Sequence, residues 1–181
     1  EPVRALVEFR RALKPGGTLL AAEPNNLGNA MNVGSTRHDE PIERRLDLLH
    51  LQMLVERGKK VLGEGDNSLG ELVPGLVTEA GFVGVRAWLS DKVTVLQPPY
   101  SDPAGRANVA EYEEQHEKGF WGWSREDVRR YVQAAGADEA TFERLWGVGR
   151  AALAEDVAAL RAGTFHGALG GLQFLVSARR P

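Results

Sequence analysis

The chain has 181 residues, 43% hydrophobic and 26% charged, the proportions of an ordinary globular domain. A net charge of −3 without a block of like charge argues against nucleic acid as a main partner, because phosphate neutralisation needs a basic face. There is no cysteine, so disulfides and thiolate metal sites are excluded. No run approaches the ~18 apolar residues of a membrane span, and no secretory apolar core opens the chain, so a cytoplasmic protein is expected.

Val3, Leu6, Val7 and Leu13 fall at near-helical spacing, with Arg4, Glu8, Arg10 and Arg11 on the other side. Lys14-Pro15-Gly16-Gly17 breaks this helix, and Thr18 to Ala22 follows as a short apolar strand ending at Glu23-Pro24. Helix, Pro-Gly-Gly turn and strand make one αβ step of a doubly wound sheet. Residues 25–36 are rich in Asn and Gly and read as loop. Pro41 opens a helix carrying Ile42, Leu46, Leu49 and Met53 at i, i+4, i+7 and i+11, ending near Gly58.

After a second loop at 63–68, Leu69, Leu72, Val73, Leu76, Val77 and Ala80 follow the helical template, with Gly81 as C-terminal cap and Pro74 either opening the helix late or kinking it. Phe82 to Val95 reads as strand, continuing to Leu96, and Pro98-Pro99 stops it. Helices are expected at about 106–118, at about 125–135 behind a Ser124/Asp127 cap, and from Glu139 to about Arg161. The final run, Leu172 to Ala178, is nearly all apolar and predicts a strand buried on both faces.

Phe9-Arg10-Arg11-Ala12-Leu13-Lys14-Pro15-Gly16-Gly17-Thr18-Leu19 resembles the late R-x-L-K-P-G-G signature of class I S-adenosylmethionine-dependent methyltransferases. Gly81-Phe82 after an amphipathic helix resembles the A-G-F that commonly precedes that family's sixth strand. The resemblance implies an α/β fold: the C-terminal part of a Rossmann-like methyltransferase sheet, with fifth, sixth and seventh strands, the last antiparallel between the other two. The whole chain, 1–181, would then be a partial methyltransferase domain. Its scaffold covers about 1–24, 69–97 and 171–179, with helical inserts at about 25–67 and 100–167.

By the same resemblance, S-adenosylmethionine would be bound by a Gly-rich loop after the first strand and an acidic residue ending the second. Neither lies in this chain. Gly16-Gly17 and Gly63-x-Gly65 do not follow a strand and open a helix as that fingerprint requires, so no cofactor-binding residue is assigned. The chain opens inside a helix at Glu1 and has methionine only at 31 and 53, so an N-terminal half carrying the cofactor loop is expected to be missing.

Glu23, Asn25 and Asn26 are the leading substrate candidates, because doubly wound sheets bind ligands at the carboxyl ends of their strands. Glu23 would accept a proton or a hydrogen bond, and the two Asn would orient a polar nucleophile. The competing reading is that the Asn fix a turn and Glu23 is solvated. His38, in Arg37-His38-Asp39-Glu40, is either a base-bearing loop residue or part of an exposed lead into the next helix. Tyr100 either brings its hydroxyl to the pocket or ends a rigid exit turn. Trp121 and Trp123 either lid an apolar or cationic substrate or anchor the insert to its core. No catalytic residue and no metal ligand is assigned.

The expected acceptor is a small molecule. The strand at 18–22 would expose a flat apolar edge without its neighbour, inviting a homodimer or a partner chain to pair with it. That edge also motivates a rival reading, a non-catalytic binding or assembly module on a methyltransferase-like scaffold. A dehydrogenase-like domain is disfavoured by the long helical insert before an antiparallel closing strand.

Overall fold

A computed structural model of the protein describes residues 1–90, 93–120 and 122–181. Its elements in chain order are α1 (Pro2–Ala12), β1 (Thr18–Pro24), α2 (Asn26–Asn29), α3 (Ile42–Val61), α4 (Val73–Glu79), β2 (Val83–Leu89), β3 (Thr94–Leu96), α5 (Pro103–Lys118), α6 (Arg125–Ala134), α7 (Glu139–Arg161), β4 (Gly167–Leu169) and β5 (Gln173–Arg179). Short 3-10 turns lie at Ser35–Arg37 and Gly70–Leu72. The protein is mixed α/β and divides into two units. The first comprises Glu1–Gly28, Asn67–Lys92 and Gly171–Pro181; the second comprises Asn29–Asp66 and Val93–Gly170.

In the first unit, Pro2 opens α1, where its missing N–H is no loss, and Arg10 and Arg11 sit at the negative end of the helix dipole. Gly16 has φ +75°, a left-handed conformation that a residue with a Cβ adopts only at a cost, so the turn into β1 needs glycine. The turn is tied to the end of β5: Gly16 N–H donates to the Arg180 carbonyl (3.0 Å) and Arg180 N–H to the Gly17 carbonyl (2.9 Å). The sheet order is β1-β5-β2, with β5 antiparallel to both neighbours. In register, Ala21 faces Val176 and Ala87 faces Val176, while Ala22 and Trp88 both face Leu175.

One face of this sheet is covered. Leu6 of α1 and Val73 and Val77 of α4 pack with Val176 and Ala178 of β5, and with Ala80 and Phe82, as one buried cluster. The opposite face is open: Leu20 is 77% and Trp88 51% exposed, with Leu175 between their strands also exposed. The expectation that β5 is buried on both faces is therefore corrected. Burial alternates along β5 because α1 and α4 share a cluster with only one set of its side chains. Pro74 lies in the first turn of α4, so that helix opens late, after the 3-10 turn.

A second correction concerns the strand expected to run from 82 to 96. It ends at Leu89, and the next amide, Ser90, donates to the Gln173 carbonyl (2.8 Å), where β5 itself begins, so the ladder runs out of partner. Thr94–Leu96 is a separate strand in the second unit, paired antiparallel with Gly167–Leu169, a segment for which no strand is expected from the sequence. Asp91 and Lys92, part of that expected strand, lie outside the described residues.

The second unit is mostly helical, and three of its helices are capped by the residues their sequences offer. Asp102, Ser124 and Asp138 accept from the amides of Gly105, Asp127 and Thr141. Ser124 also donates to the Asp127 carboxylate (2.7 Å), which holds the capping hydroxyl in place. One core cluster joins Leu51 and Val55 of α3 to Val128, Tyr131 and Val132 of α6 and Phe142 and Leu145 of α7. Gly58 makes the α3–α6 approach possible, since a Cβ there would lie 1.9 Å from the Tyr131 carbonyl oxygen. A second cluster holds Leu96, Tyr100, Tyr112, Leu153, Val157, Leu160 and Phe165. Among the described residues no helix is long and apolar enough to cross a membrane.

Candidate functional site

The best-built polar corner lies in the first unit, where the carboxyl end of β1 meets the start of β5 and the 3-10 turn before α4. Asn25, buried, follows β1 directly. Its amide donates to the Leu172 carbonyl (2.9 Å), its side-chain oxygen accepts from Gly28 N–H (3.0 Å), and its side-chain NH2 donates to the Glu71 carboxylate. All three bonds turn the chain out of the sheet into the single turn of α2. Asn26 N–H donates to the Asn67 carbonyl (3.1 Å), and Leu27 N–H to Ser68 Oγ (3.3 Å). Asn25 is thus a turn-forming residue whose bonding capacity is largely committed.

Glu23 precedes this turn and lies opposite Phe174 on the covered side of the sheet, half-buried, beyond the apolar cluster. Among the described residues its carboxylate has no hydrogen-bond or ion-pair partner. Gly70 closes the corner from the other side. A Cβ there would come within 2.4 Å of the Phe174 ring and 2.9 Å of the Glu23 carbonyl oxygen. Glu23 therefore stands free of local bonds on a backbone fixed from both sides. Glu71, which holds Asn25, was not read from the sequence. Nothing local marks it, because its partner is 46 residues away.

Of the other expected site residues, His38, Tyr100 and Trp123 lie in the second unit, in three separate settings. His38 follows the Ser35–Arg37 turn and is exposed, with its Nε2 3.9 Å from an exposed Asp39 oxygen. Tyr100 is buried, and its hydroxyl donates to the Phe165 carbonyl (2.7 Å) inside the second core cluster. Burial pushes its pKa up, partly offset by that bond. The expectation of a pocket-facing hydroxyl is corrected: closing a buried carbonyl uses the group inside the core. Trp123 packs against the first cluster, edge-on to Tyr131 (6.2 Å between centroids) with the Lys59 ammonium 5.2 Å above its ring. That arrangement is the anchoring alternative. Trp121 lies outside the described residues.

The second unit also contains a buried ionic cluster that the sequence reading passed over. Arg37 Nη2 donates to Asp156 Oδ2 at 2.8 Å, and Thr36 Oγ1 donates to Asp156 Oδ1. Arg45 reaches the Arg37 carbonyl and pairs with Glu40 at 3.1 Å. Burial raises the Asp156 pKa against the opposing pull of Arg37 and Thr36, and burial beside Asp156 pushes the Tyr112 hydroxyl up to about 12. Ser35 and His166 exchange two bonds (2.9 and 3.0 Å), and Gly34 lies flat against the Phe165 ring. Every member is tied to another part of the unit, so the cluster orders the Gly34–Arg37 segment. Among the described residues, Arg37 Nε and Glu40 Oε2 are buried in it without a hydrogen-bond partner.

β1 leads through Asn25 into one helical turn, and among the described residues no strand passes through a glycine-rich loop into a long helix. Two surface depressions run along α1, one lined by Val3, Arg4, Val7 and Glu8, the other by Val7, Arg10, Arg11 and Arg180. Neither includes Glu23 or Asn25. Among the described residues no group of three or more His, Asp and Glu is placed to hold a metal ion. Neither a family model nor a curated protein matches the chain.

Proposed function

We propose that this chain is the acceptor-side half of a class I S-adenosylmethionine-dependent methyltransferase that methylates a small molecule. The observation that carries the reading is the sheet order: β5 lies antiparallel between β1 and β2, and β1 follows the Lys14-Pro15-Gly16-Gly17 turn. On this reading the three strands are the fifth, seventh and sixth of that family's sheet. The cofactor is held mainly by a half outside this chain, so the chain alone is inactive. β1 is at the sheet edge, and the missing strand would pair with its unbonded side.

The carboxyl end of β1 is then the acceptor wall. Glu23, without a local partner, takes a hydrogen bond or proton from the nucleophile, and Asn25, held by Glu71, fixes the backbone that carries it. The test is a Glu23→Gln variant in a protein extended upstream of Glu1, read by S-adenosylhomocysteine release across a panel of small-molecule acceptors. The expected result is a loss of about 10²-fold in turnover with cofactor affinity unchanged. Unchanged turnover would remove Glu23 from the reaction.

A second reading is supported by the open sheet face, where Leu20, Leu175 and Trp88 are exposed together. A non-catalytic module that captures a partner chain along β1 would cover both the face and the edge. It predicts partner capture by the extended protein without cofactor binding.

A further inference from the structure

The covered side of the three-stranded sheet ends in a row that its helices leave open. Glu23 lies opposite Phe174, and Phe174 opposite Leu89, at the carboxyl ends of β1 and β2. The apolar cluster built with α1 and α4 takes in Val176 and Ala178 but stops short of this row. Glu23 and Phe174 are half-buried, and Leu89 is 52% exposed. Neighbouring strands stand ~4.8 Å apart, so a carboxylate, an aromatic ring and an aliphatic side chain follow one another over about 10 Å. We propose, resting on the reading of the β1 end as the acceptor wall, that this row selects the class of acceptor: a small protonated amine with an apolar body. The ammonium pairs with Glu23, and the body lies over Phe174 and Leu89.

Charge identifies the occupant. Among the described residues Glu23 has no ion-pair partner, and Glu71, which accepts from the Asn25 side chain at the same corner, has none either. Two uncompensated carboxylates attract a cation and repel an acid. An ammonium brings donors to Glu23, which has no local bond to give up, and the neighbouring ring favours the same charge. The Phe174 ring is packed against Gly70, where a Cβ would come within 2.4 Å of it, so the surface beside the carboxylate is set before a ligand arrives. A wholly apolar molecule would desolvate Glu23 without giving it a partner. A bare cation would leave Phe174 and Leu89 in water, so charge and apolar body are both needed to use the whole row.

The test is calorimetric titration of the protein extended upstream of Glu1, with S-adenosylhomocysteine present so that nothing turns over. Three probes share one body: 2-phenylethylamine, 2-phenylethanol and 3-phenylpropionate. The amine should bind about tenfold more tightly than the alcohol, and the acid more weakly than both. Glu23→Gln should weaken the amine by about tenfold and leave the alcohol unchanged. Leu89→Ser, at an exposed position, should weaken amine and alcohol alike. No binding of the amine, equal binding of amine and alcohol, tighter binding of the acid, or an amine affinity indifferent to Glu23→Gln would each overturn the proposal. Binding of S-adenosylhomocysteine is measured separately, so the two readings fail separately. If it binds while the amine preference is absent, the amine proposal alone falls; if it does not bind while the Glu23-dependent preference persists, the amine site stands and the methyltransferase reading falls.

Discussion

Arg37 and Asp156, separated by 119 residues, meet as a buried ion pair 2.8 Å apart, with the Asp156 side chain only 1% exposed. Thr36 holds the second carboxylate oxygen, so a three-residue turn is locked to the carboxyl-terminal third of α7. Removing one partner leaves the other charge buried without compensation. Asp156→Ala should therefore cost about 3–5 kcal/mol. Urea unfolding monitored by circular dichroism checks this, and Arg37→Leu/Asp156→Leu should cost less than the single Ala variant.

Gly58 gives a second stability test. Its missing Cβ is the space that the Tyr131 backbone fills, and backbone cannot swing away as a flexible side chain can. Gly58→Ala should lower stability by about 2 kcal/mol or more despite Ala's higher helix propensity. A denaturation midpoint at or above the parent's would show that α3 and α6 are not packed this closely.

Tyr100→Phe should cost about 1–3 kcal/mol, because it strands the buried Phe165 carbonyl. On the methyltransferase reading, acceptor affinity of the extended protein should not change. A stable variant with weakened acceptor binding would return the hydroxyl to a pocket role.

Acid should destabilise the fold through exposed carboxylates held below their usual range. Asp102 is held down first by the Gly105 amide, Asp138 by Thr141, Glu64 by Arg130 and Tyr131, and Glu143 by Arg125. Unfolded carboxylates take protons near pH 4, whereas these four resist until lower pH, so their stabilisation is present above that value and lost as pH falls through the depressed folded values. Asp156, raised by burial, acts oppositely, gaining its proton earlier in the folded state. Urea midpoints measured downward from about pH 5 should fall, and Asp102→Asn/Asp138→Asn, which keeps both caps, should flatten the decline.

What was legible in the sequence was local. α7 begins and ends at the residues its cap and periodicity indicate, and the Lys14–Gly17 turn lies where Pro-Gly-Gly places it. The order of the three strands came from the family resemblance, since pairing between segments about 150 residues apart leaves no local mark. Partnership was where reading failed. Thr94–Leu96 continues an alternating pattern but pairs with Gly167–Leu169. Ile42, Leu46 and Met53 announce α3 by their spacing yet remain exposed. The turn at Asn25 was readable from its Asn and Gly content, while Glu71 and the Arg37–Asp156 pair depended on contacts only folding makes.

Calorimetric titration of S-adenosylmethionine tests the central claim most directly, using this chain and a version extended to the start of its reading frame. Binding by the extended protein, with none by this chain, is the predicted result. No binding by either would contradict the methyltransferase reading and leave the partner-capturing module in its place.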